Sequence, residues 1–111
     1  MSEACDLTQK KCRACEGGVE PMTEEQIREM LKSVEGWEYR DGAIEKTFEF
    51  KNFYRTIAFV NAVAWIANRE DHHPDLQVSY KKCTARFSTH SIGGMSENDF
   101  ICAAKVNALV M

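Results

Sequence analysis

The feature that most constrains the fold of this chain is the dipeptide Asp41-Gly42, which lies between two short segments of mixed apolar and polar residues. Asp-Gly is a preferred pair in two-residue hairpin loops because both central residues of such a turn need a positive φ. Segments 37–40 and 43–50 are therefore predicted to pair as an antiparallel hairpin. The apolar residues on one face of its second strand are Ile44, Phe48 and Phe50.

A second hairpin is predicted after residue 75, where apolar and polar residues alternate on both sides of Lys81-Lys82. The apolar positions are Leu76, Val78 and Tyr80 in the first strand and Cys83, Ala85 and Phe87 in the second. The opposite face of the second strand carries Thr84, Arg86, Ser88 and His90. On this interpretation Thr89-His90 finishes the last strand.

Helical periodicity indicates helices before, between and after the two hairpins. Thr23 is expected to cap the first helix, with Gln26 completing a capping box, and Gly36 is expected to end it. The second helix is long and starts at Lys51 or Asn52. Its predicted central stripe is Phe53, Ile57, Val60, Ala64 and Ala67, widened on one flank by Phe59, Val63 and Ile66.

This long helix must end before His73, because Pro74 disfavours helical geometry at the residue before it. After Gly93-Gly94, Ser96 and Asp99 have the spacing of a capping box and open a final helix. The predicted order is therefore α-β-β-α-β-β-α. This is an α+β fold in which a four-stranded antiparallel sheet carries its helices packed on one face.

Length and charge exclude several classes of protein. The chain has 111 residues, enough for one domain, which we assign to 21–111 behind a flexible polar leader over 1–20. The formal charge of -3 gives no general attraction to nucleic-acid phosphates. The apolar stretch 57–67 is shorter than the roughly 20 residues of a membrane span, and the N-terminus has no apolar segment typical of a secretory signal. We therefore expect a cytoplasmic protein that binds neither nucleic acid nor membrane.

The five cysteines are an odd number, which disfavours a disulfide framework. Cys5, Cys12 and Cys15 lie in the leader, where Cys12 and Cys15 form a C-x-x-C motif. The sequence shows neither the further ligands of a zinc site nor the strand and helix that flank a thioredoxin-like motif. We interpret the leader cysteines as reduced and incidental, with a metal or redox role as the alternative.

The three histidines of the chain lie beside predicted element ends: His72 and His73 follow the long helix, and His90 ends the last strand. The topology can bring these ends together. Because the ordinary pKa of histidine is about 6.5, one ring can donate a proton and another accept one near neutral pH, which favours general acid–base chemistry. The alternatives are polar surface loops without chemistry and a three-histidine zinc site. A cysteine nucleophile has little support, since Cys83 is predicted on the core face, far from His90.

A longer motif contains these histidines. Its members are His72-His73-Pro74, Tyr80, His90 and Asp99, accompanied by the segments 36–37, 48–53, 58–60 and 98–100. Over residues 20–110 this pattern resembles the pterin-4a-carbinolamine dehydratases. One position departs from it: members similar to the animal enzymes carry an acidic residue four before the first histidine, where this chain has Asn68. Glu70 or Asp71 is expected to supply the missing charge.

The resemblance implies a hydro-lyase that eliminates water from 4a-hydroxytetrahydropterin to give quinonoid dihydropterin, supporting tetrahydrobiopterin recycling for aromatic amino-acid hydroxylases. It calls for no metal, nucleotide or redox cofactor. His72 and His90 would flank the reacting carbon, and His73 would orient or share the proton transfer. The residues expected to bind the pterin edge beside the three histidines are Asp71, Ser88, Thr89 and Ser91. For Asp99 a helix cap, and for Tyr80 packing at a strand end, are the preferred interpretations.

A homodimer or homotetramer is expected, because a single-layer sheet with helices on one face leaves its other face or its edge strands to be covered. The alternative function is non-enzymatic, as a dimerization cofactor of a transcription factor or an assembly chaperone on the same fold. A scaffold of that kind has no need of three imidazoles around one cleft, which favours the enzyme.

Overall fold

The computed structural model describes residues 7–12 and 20–110. In chain order the elements between residues 20 and 110 are α1 (Glu24–Leu31), β1 (Glu38–Arg40), β2 (Ala43–Glu49), α2 (Phe53–Glu70), β3 (Asp75–Val78), β4 (Lys82–Phe87), a 3-10 turn (His90–Ile92) and α3 (Glu97–Ala108). Residues 7–9 are also helical. The predicted α-β-β-α-β-β-α order and the α+β class are confirmed.

The sheet has the strand order β1-β2-β4-β3, with every neighbouring pair antiparallel. Asp41 (φ 51°) and Gly42 (φ 82°) make the first hairpin turn, as the Asp-Gly pair predicts. The two hairpins join through their second strands, in a register that sets Ile44 opposite Phe87 and Thr47 opposite Thr84. The longest strands therefore lie at the centre of the sheet.

The two faces of the sheet differ in chemistry. One face is apolar and covered by the helices; its buried residues in the strands are Ile44, Phe48, Cys83, Ala85 and Phe87. The other face is polar: the hydroxyls of Thr47 and Thr84 are 2.7 Å apart, and Glu45 lies near Arg40 and Arg86. Burial of each large apolar side chain contributes about 1.5–3 kcal/mol, so the helix-covered face holds the sheet and helices together.

Helix α2 buries a different stripe from the predicted one. Asn52 caps it by accepting a hydrogen bond from the Arg55 amide, as the sequence allows. The buried residues along the helix are Thr56, Phe59, Val63, Ile66, Ala67 and Glu70. Phe53 and Ala64 of the predicted central stripe are exposed, so the flank of that stripe is the face that meets the core. Thr56 can be buried on this face because its hydroxyl lies 3.0 Å from both the Asn52 and the Tyr80 carbonyl oxygens, which satisfies its single donor.

Two further element ends differ from the sequence prediction. The capping box of Thr23 and Gln26 forms, but α1 ends at Leu31 instead of near Gly36, and a turn carries Val34 into the core. Strand β3 stops at Val78, which leaves Tyr80 63% exposed and stacked on the Phe53 ring. An edge strand needs no continuous apolar face, so its alternation carries less information about burial.

Residues 7–12 of the N-terminal segment are packed against the domain, in contrast to the flexible leader expected over 1–20. Leu7 is buried with the core residues. The Lys10 ammonium pairs with Glu97 at 2.9 Å, and the Cys12 amide donates to the Glu70 carboxylate at 2.8 Å. Cys5 and Cys15 lie outside the described residues. Among the helices in the described part of the chain, none has the length and apolarity that crossing a membrane requires.

Candidate active site

The end of α2 determines where His72 lies. Asp71 caps the helix in the left-handed conformation (φ 52°), and the amide of His72 donates to the Ala67 carbonyl at 3.1 Å. The helix thus ends before His73, as Pro74 predicts. The imidazole of His72 then stacks on the Phe87 ring, with centroids 6.0 Å apart and planes 8° from parallel. Helix end and sheet together fix the orientation of this ring.

A buried carboxylate holds the His72 ring from the other side. The Nε2 atom of His72 lies 2.6 Å from Oδ1 of Asp99, which is fully buried in the first turn of α3. The Oδ2 atom of Asp99 accepts from the Thr89 hydroxyl at 2.8 Å and from the Ser96 amide at 3.0 Å. Burying a carboxylate is unfavourable unless it is hydrogen-bonded, so these donors and the imidazole account for its burial.

Sequence reasoning interpreted Asp99 as a helix cap. The capping box with Ser96 is present, so that interpretation is correct for one oxygen of the carboxylate. The other oxygen holds a histidine from a segment 27 residues earlier, which a local motif does not reveal. The sequence contained one indication of this contact, since Asp99 and His72 belong to the same long motif.

His73 has a neutral partner. Its Nε2 atom lies 3.0 Å from Oδ1 of Asn68, one turn back on α2, and both residues are exposed. The expectation that Glu70 or Asp71 supplies an acidic partner finds no support here. The Glu70 carboxylate already accepts hydrogen bonds from Lys105 and from the Cys12 amide, and Asp71 is an exposed cap residue.

His90 lies outside the last strand, contrary to prediction. Strand β4 ends at Phe87, Thr89 forms an isolated bridge with Gly94, and His90 starts the 3-10 turn that Gly93 closes with φ 66°. The histidine is exposed and directly follows Thr89, whose side chain belongs to the buried Asp99 network. No described side chain makes a hydrogen bond or ring contact with the His90 imidazole.

The remaining residues expected to bind the substrate differ in accessibility. Ser91 is exposed beside His90, and Ser88 is half-buried. Thr89 is buried, its hydroxyl is 2.7 Å from that of Ser96, and its amide and carbonyl are hydrogen-bonded within the turn to Gly94, so this residue supports the site instead of facing a ligand. The segment 88–91 therefore presents small polar groups next to an exposed imidazole.

The family model described as Pterin 4 alpha carbinolamine dehydratase matches residues 20–109. The chain belongs to this family. A relative from Nitrosomonas eutropha, provisionally named pterin-4-alpha-carbinolamine dehydratase, is 54% identical over 100% of this chain and 99% of its own length. This family assignment confirms the resemblance seen in the sequence.

Solved structures show the same fold. The transcriptional coactivator/pterin dehydratase from Brucella melitensis superposes with a TM-score of 0.79 at 33% identity, covering 82% of this chain and 99% of that one. A pterin dehydratase-like protein identified as a RuBisCO assembly factor in the alpha-carboxysome has a TM-score of 0.55 at 22% identity, covering 66% of this chain and 84% of its own. The second likeness concerns the fold alone.

A metal centre was one alternative for the histidines of this pterin dehydratase family member. Within residues 7–12 and 20–110, no three His, Cys, Asp or Glu side chains are grouped so as to hold one ion. The Nε2 atoms of His72 and His73 instead face Asp99 and Asn68. A cavity of about 600 Å³ between α2 and α3, beside Trp65, is lined by none of the three histidines.

Proposed function

We propose that this protein eliminates water from a 4a-hydroxytetrahydropterin to give the quinonoid dihydropterin, by histidine general acid–base catalysis. The observation that carries the proposal is the pairing of His72 with buried Asp99 at 2.6 Å in a chain of the pterin dehydratase family. Such a pair is the usual way to hold a proton-transferring imidazole in one orientation. The reaction would serve tetrahydrobiopterin recycling for aromatic amino-acid hydroxylases.

The pairing assigns a separate task to each nitrogen of His72. Nε2 faces the Asp99 carboxylate, so Nδ1 is the nitrogen that exchanges a proton with the substrate. Asp99 would pair with the imidazolium when Nδ1 is protonated. The His72 side chain is only 11% exposed, which limits competing exchange with bulk water.

The elimination needs a second proton carrier. One group must protonate the departing 4a-hydroxyl while another removes a proton from a ring nitrogen, whose lone pair then expels water. We assign this pair of tasks to His72 and His90, with His73 orienting the substrate or sharing the transfer. Asp71, Ser88 and Ser91 would bind the amide-like edge of the pterin, whereas Thr89 would hold Asp99 in place. The protein's part in the proposed chemistry is proton transfer, while the ring-nitrogen lone pair breaks the bond between C4a and the departing water.

We also propose a homodimer or homotetramer acting in the cytoplasm. The face of the sheet that the helices leave open is polar, so it does not need a partner chain to cover apolar surface. Exposed aromatic residues instead lie along α2, where Tyr54 is 83% and Trp65 62% exposed. We take the side of α2 that carries these two side chains as the candidate contact surface. The odd number of cysteines, which disfavours a disulfide framework, is in keeping with a reducing compartment.

The test is stopped-flow absorbance of 4a-hydroxytetrahydropterin decay, with and without the protein after treatment with a chelator. We expect decay to accelerate in proportion to protein concentration and to be insensitive to the chelator. Activity that vanished with chelator and returned with zinc would favour the metal hypothesis. Decay at the uncatalysed rate would favour the non-enzymatic alternative, a dimerization cofactor or assembly chaperone.

A further inference from the structure

Two cysteines outside the histidine site lie side by side. The Sγ atoms of Cys12 and Cys102 are 3.5 Å apart although the residues are 90 positions apart in sequence. Cys12 comes from the N-terminal segment and Cys102 from the middle of α3. The Cys12 thiol also donates to the Asn98 carbonyl, at 3.6 Å. The two sulfurs therefore meet across the junction of the N-terminal segment and the domain.

The approach of the sulfurs is held by contacts on both sides of Cys12. Its own amide donates to the buried Glu70 carboxylate at 2.8 Å, which Lys105 of α3 also contacts at 2.9 Å. Two residues earlier, Lys10 pairs with Glu97 at the start of α3. Leu7 anchors the segment in the core. None of these contacts involves either sulfur, and together they hold Cys12 over Cys102.

The two thiols differ in accessibility. Cys102 is fully buried, whereas Cys12 is half-buried, so a small oxidant reaches Cys12 first. The hydrogen bond with Cys12 and burial, together with nearby Glu70 and Asp99, raise the pKa of the Cys102 thiol well above its usual range. Cys102 thus stays protonated in the reduced protein, which leaves Cys12 as the thiol that an oxidant attacks first.

We propose that Cys12 and Cys102 form a reversible disulfide that fastens the N-terminal segment to α3. A hydroperoxide oxidises the Cys12 thiol to a sulfenic acid and is itself reduced to water or an alcohol. The Cys102 sulfur then attacks the Cys12 sulfur, the S–O bond breaks, and the hydroxyl leaves as water with the Cys102 proton. Bond formation needs the sulfurs to close from 3.5 Å to about 2.05 Å. A dithiol reductant reverses the step by exchange.

The disulfide would stabilise the fold. It closes a loop of 90 positions, and a cross-link over a long loop restricts the unfolded chain strongly. It also ties residues 7–12 to α3 three positions beyond Asp99. Cys15 is the competing partner by its C-x-x-C spacing, and it lies outside the described residues.

The test treats the reduced full-length protein with limited hydrogen peroxide and maps its disulfides by non-reducing tryptic digestion and mass spectrometry. Trypsin cuts after Arg13, so Cys12 and Cys15 fall on different peptides and the two pairings differ in mass. We expect the peptide of Cys12 joined to that of Cys102, and a loss of two of the five thiols. The melting temperature should rise by about 5 °C or more and return with dithiothreitol.

Cys15→Ser is the matched control and should keep both the cross-link and the shift in melting temperature. Cys102→Ser should abolish both, and Cys12→Ser, at a half-buried position that tolerates the change, should do the same. Three results would overturn the proposal: a Cys12–Cys15 linkage, a cross-link between two chains, or further oxidation of Cys12 with Cys102 still a free thiol.

Discussion

Asp99 holds His72 with one carboxylate oxygen and the first turn of α3 with the other, at 2.6 Å and 3.0 Å. A catalytic candidate and a helix cap therefore share one buried group. Because both oxygens are occupied, the direction of the His72 ring depends on where α3 begins. The backbone of α3 is thus part of the positioning of the site.

Asp99→Asn should slow dehydration by about 10²-fold or more. The side-chain amide has a donor NH₂ group where the carboxylate has a second acceptor oxygen. This NH₂ group would lie opposite either the His72 ring or the donor groups of Thr89 and Ser96. We expect a fall in kcat larger than the change in KM, measured by stopped flow. The free energy of unfolding should fall by about 1–3 kcal/mol, since a buried donor loses its partner.

Thr23→Ala is the matched control for Asp99→Asn. It removes the capping box of α1 and should cost about 1 kcal/mol of stability. Thr23 contacts only the start of its own helix among the described hydrogen bonds, so the rate should stay at the parent value. If both variants lost activity in proportion to stability, Asp99 would act as a cap alone.

His72→Ala and His90→Ala should each lower the dehydration rate by about 10²- to 10⁴-fold, far more than Asn68→Ala or Cys12→Ala. Their effects on stability should differ. His90 is exposed, so its removal should change the free energy of unfolding by about 0.5 kcal/mol or less. His72→Ala leaves the buried Oδ1 atom of Asp99 without its imidazole partner and should cost about 1–3 kcal/mol. Full activity in both variants at parental melting temperatures would exclude the assigned site.

Asn68→Asp should change how His73 titrates. The substitution puts a carboxylate where the amide oxygen lies, 3.0 Å from Nε2 of His73. A nearby negative charge favours the protonated imidazole, so the NMR titration of His73 should move to higher pH than in the parent. Asp71→Asn at the neighbouring cap is the comparison and should move it less. An unchanged titration would mean that the two side chains are not in contact in solution.

Glu70→Gln should lower the free energy of unfolding at neutral pH, and the difference from the parent should shrink as the pH falls. Burial opposes ionisation of Glu70, but the Cys12 amide and Lys105 outweigh it, and the pKa falls below 4.5. A lowered pKa stabilises the fold above the unfolded value, and this stabilisation is lost as pH drops through the folded value. Denaturant unfolding from pH 7 to pH 3 should therefore show the two proteins converging below about pH 4.5. Glu97→Gln, in an exposed pair with Lys10, should differ from the parent by less than about 1 kcal/mol.

Trp65→Glu should reduce the molar mass of the assembly that the protein forms in solution. The parent should give a multiple of 12.7 kDa by light scattering at micromolar concentration, and the charged variant a smaller multiple. Thr47→Glu, on the polar face of the sheet, serves as the control and should leave the mass unchanged. A parent of 12.7 kDa would contradict the proposed homo-oligomer.

Local signals predicted most of the fold. The turn at Asp41-Gly42, the two capping boxes and the helix stop before Pro74 each depend on a few adjacent residues, and each appears in the structure. The buried face of α2 did not follow from periodicity, because it includes the polar residue Thr56, whose hydroxyl lies within reach of the Tyr80 carbonyl as well as that of Asn52. The Tyr80 carbonyl belongs to the turn between β3 and β4, and its position depends on the tertiary fold.

For the candidate site too, some residues could be predicted from the sequence and others could not. His72, His73 and His90 stand out by residue type and by their places beside element ends. Their partners are less visible: Asp99 is 27 positions from His72, and Asn68 is an amide where the family resemblance leads one to expect an acid. The exposed place of His90 depends on the early end of β4 at Phe87, where the chain turns away from the sheet.

The burial of Leu7 in the core determines where the chain can be truncated without loss of stability. The match to the family model begins at residue 20, yet a leucine 13 positions earlier fills part of the core. A fragment trimmed to the matched stretch would expose apolar surface on the helices and leave Glu70 without its amide donor. The boundary of the family-model match thus leaves out a core residue and a hydrogen-bond donor, and truncation at that boundary should yield a less stable protein.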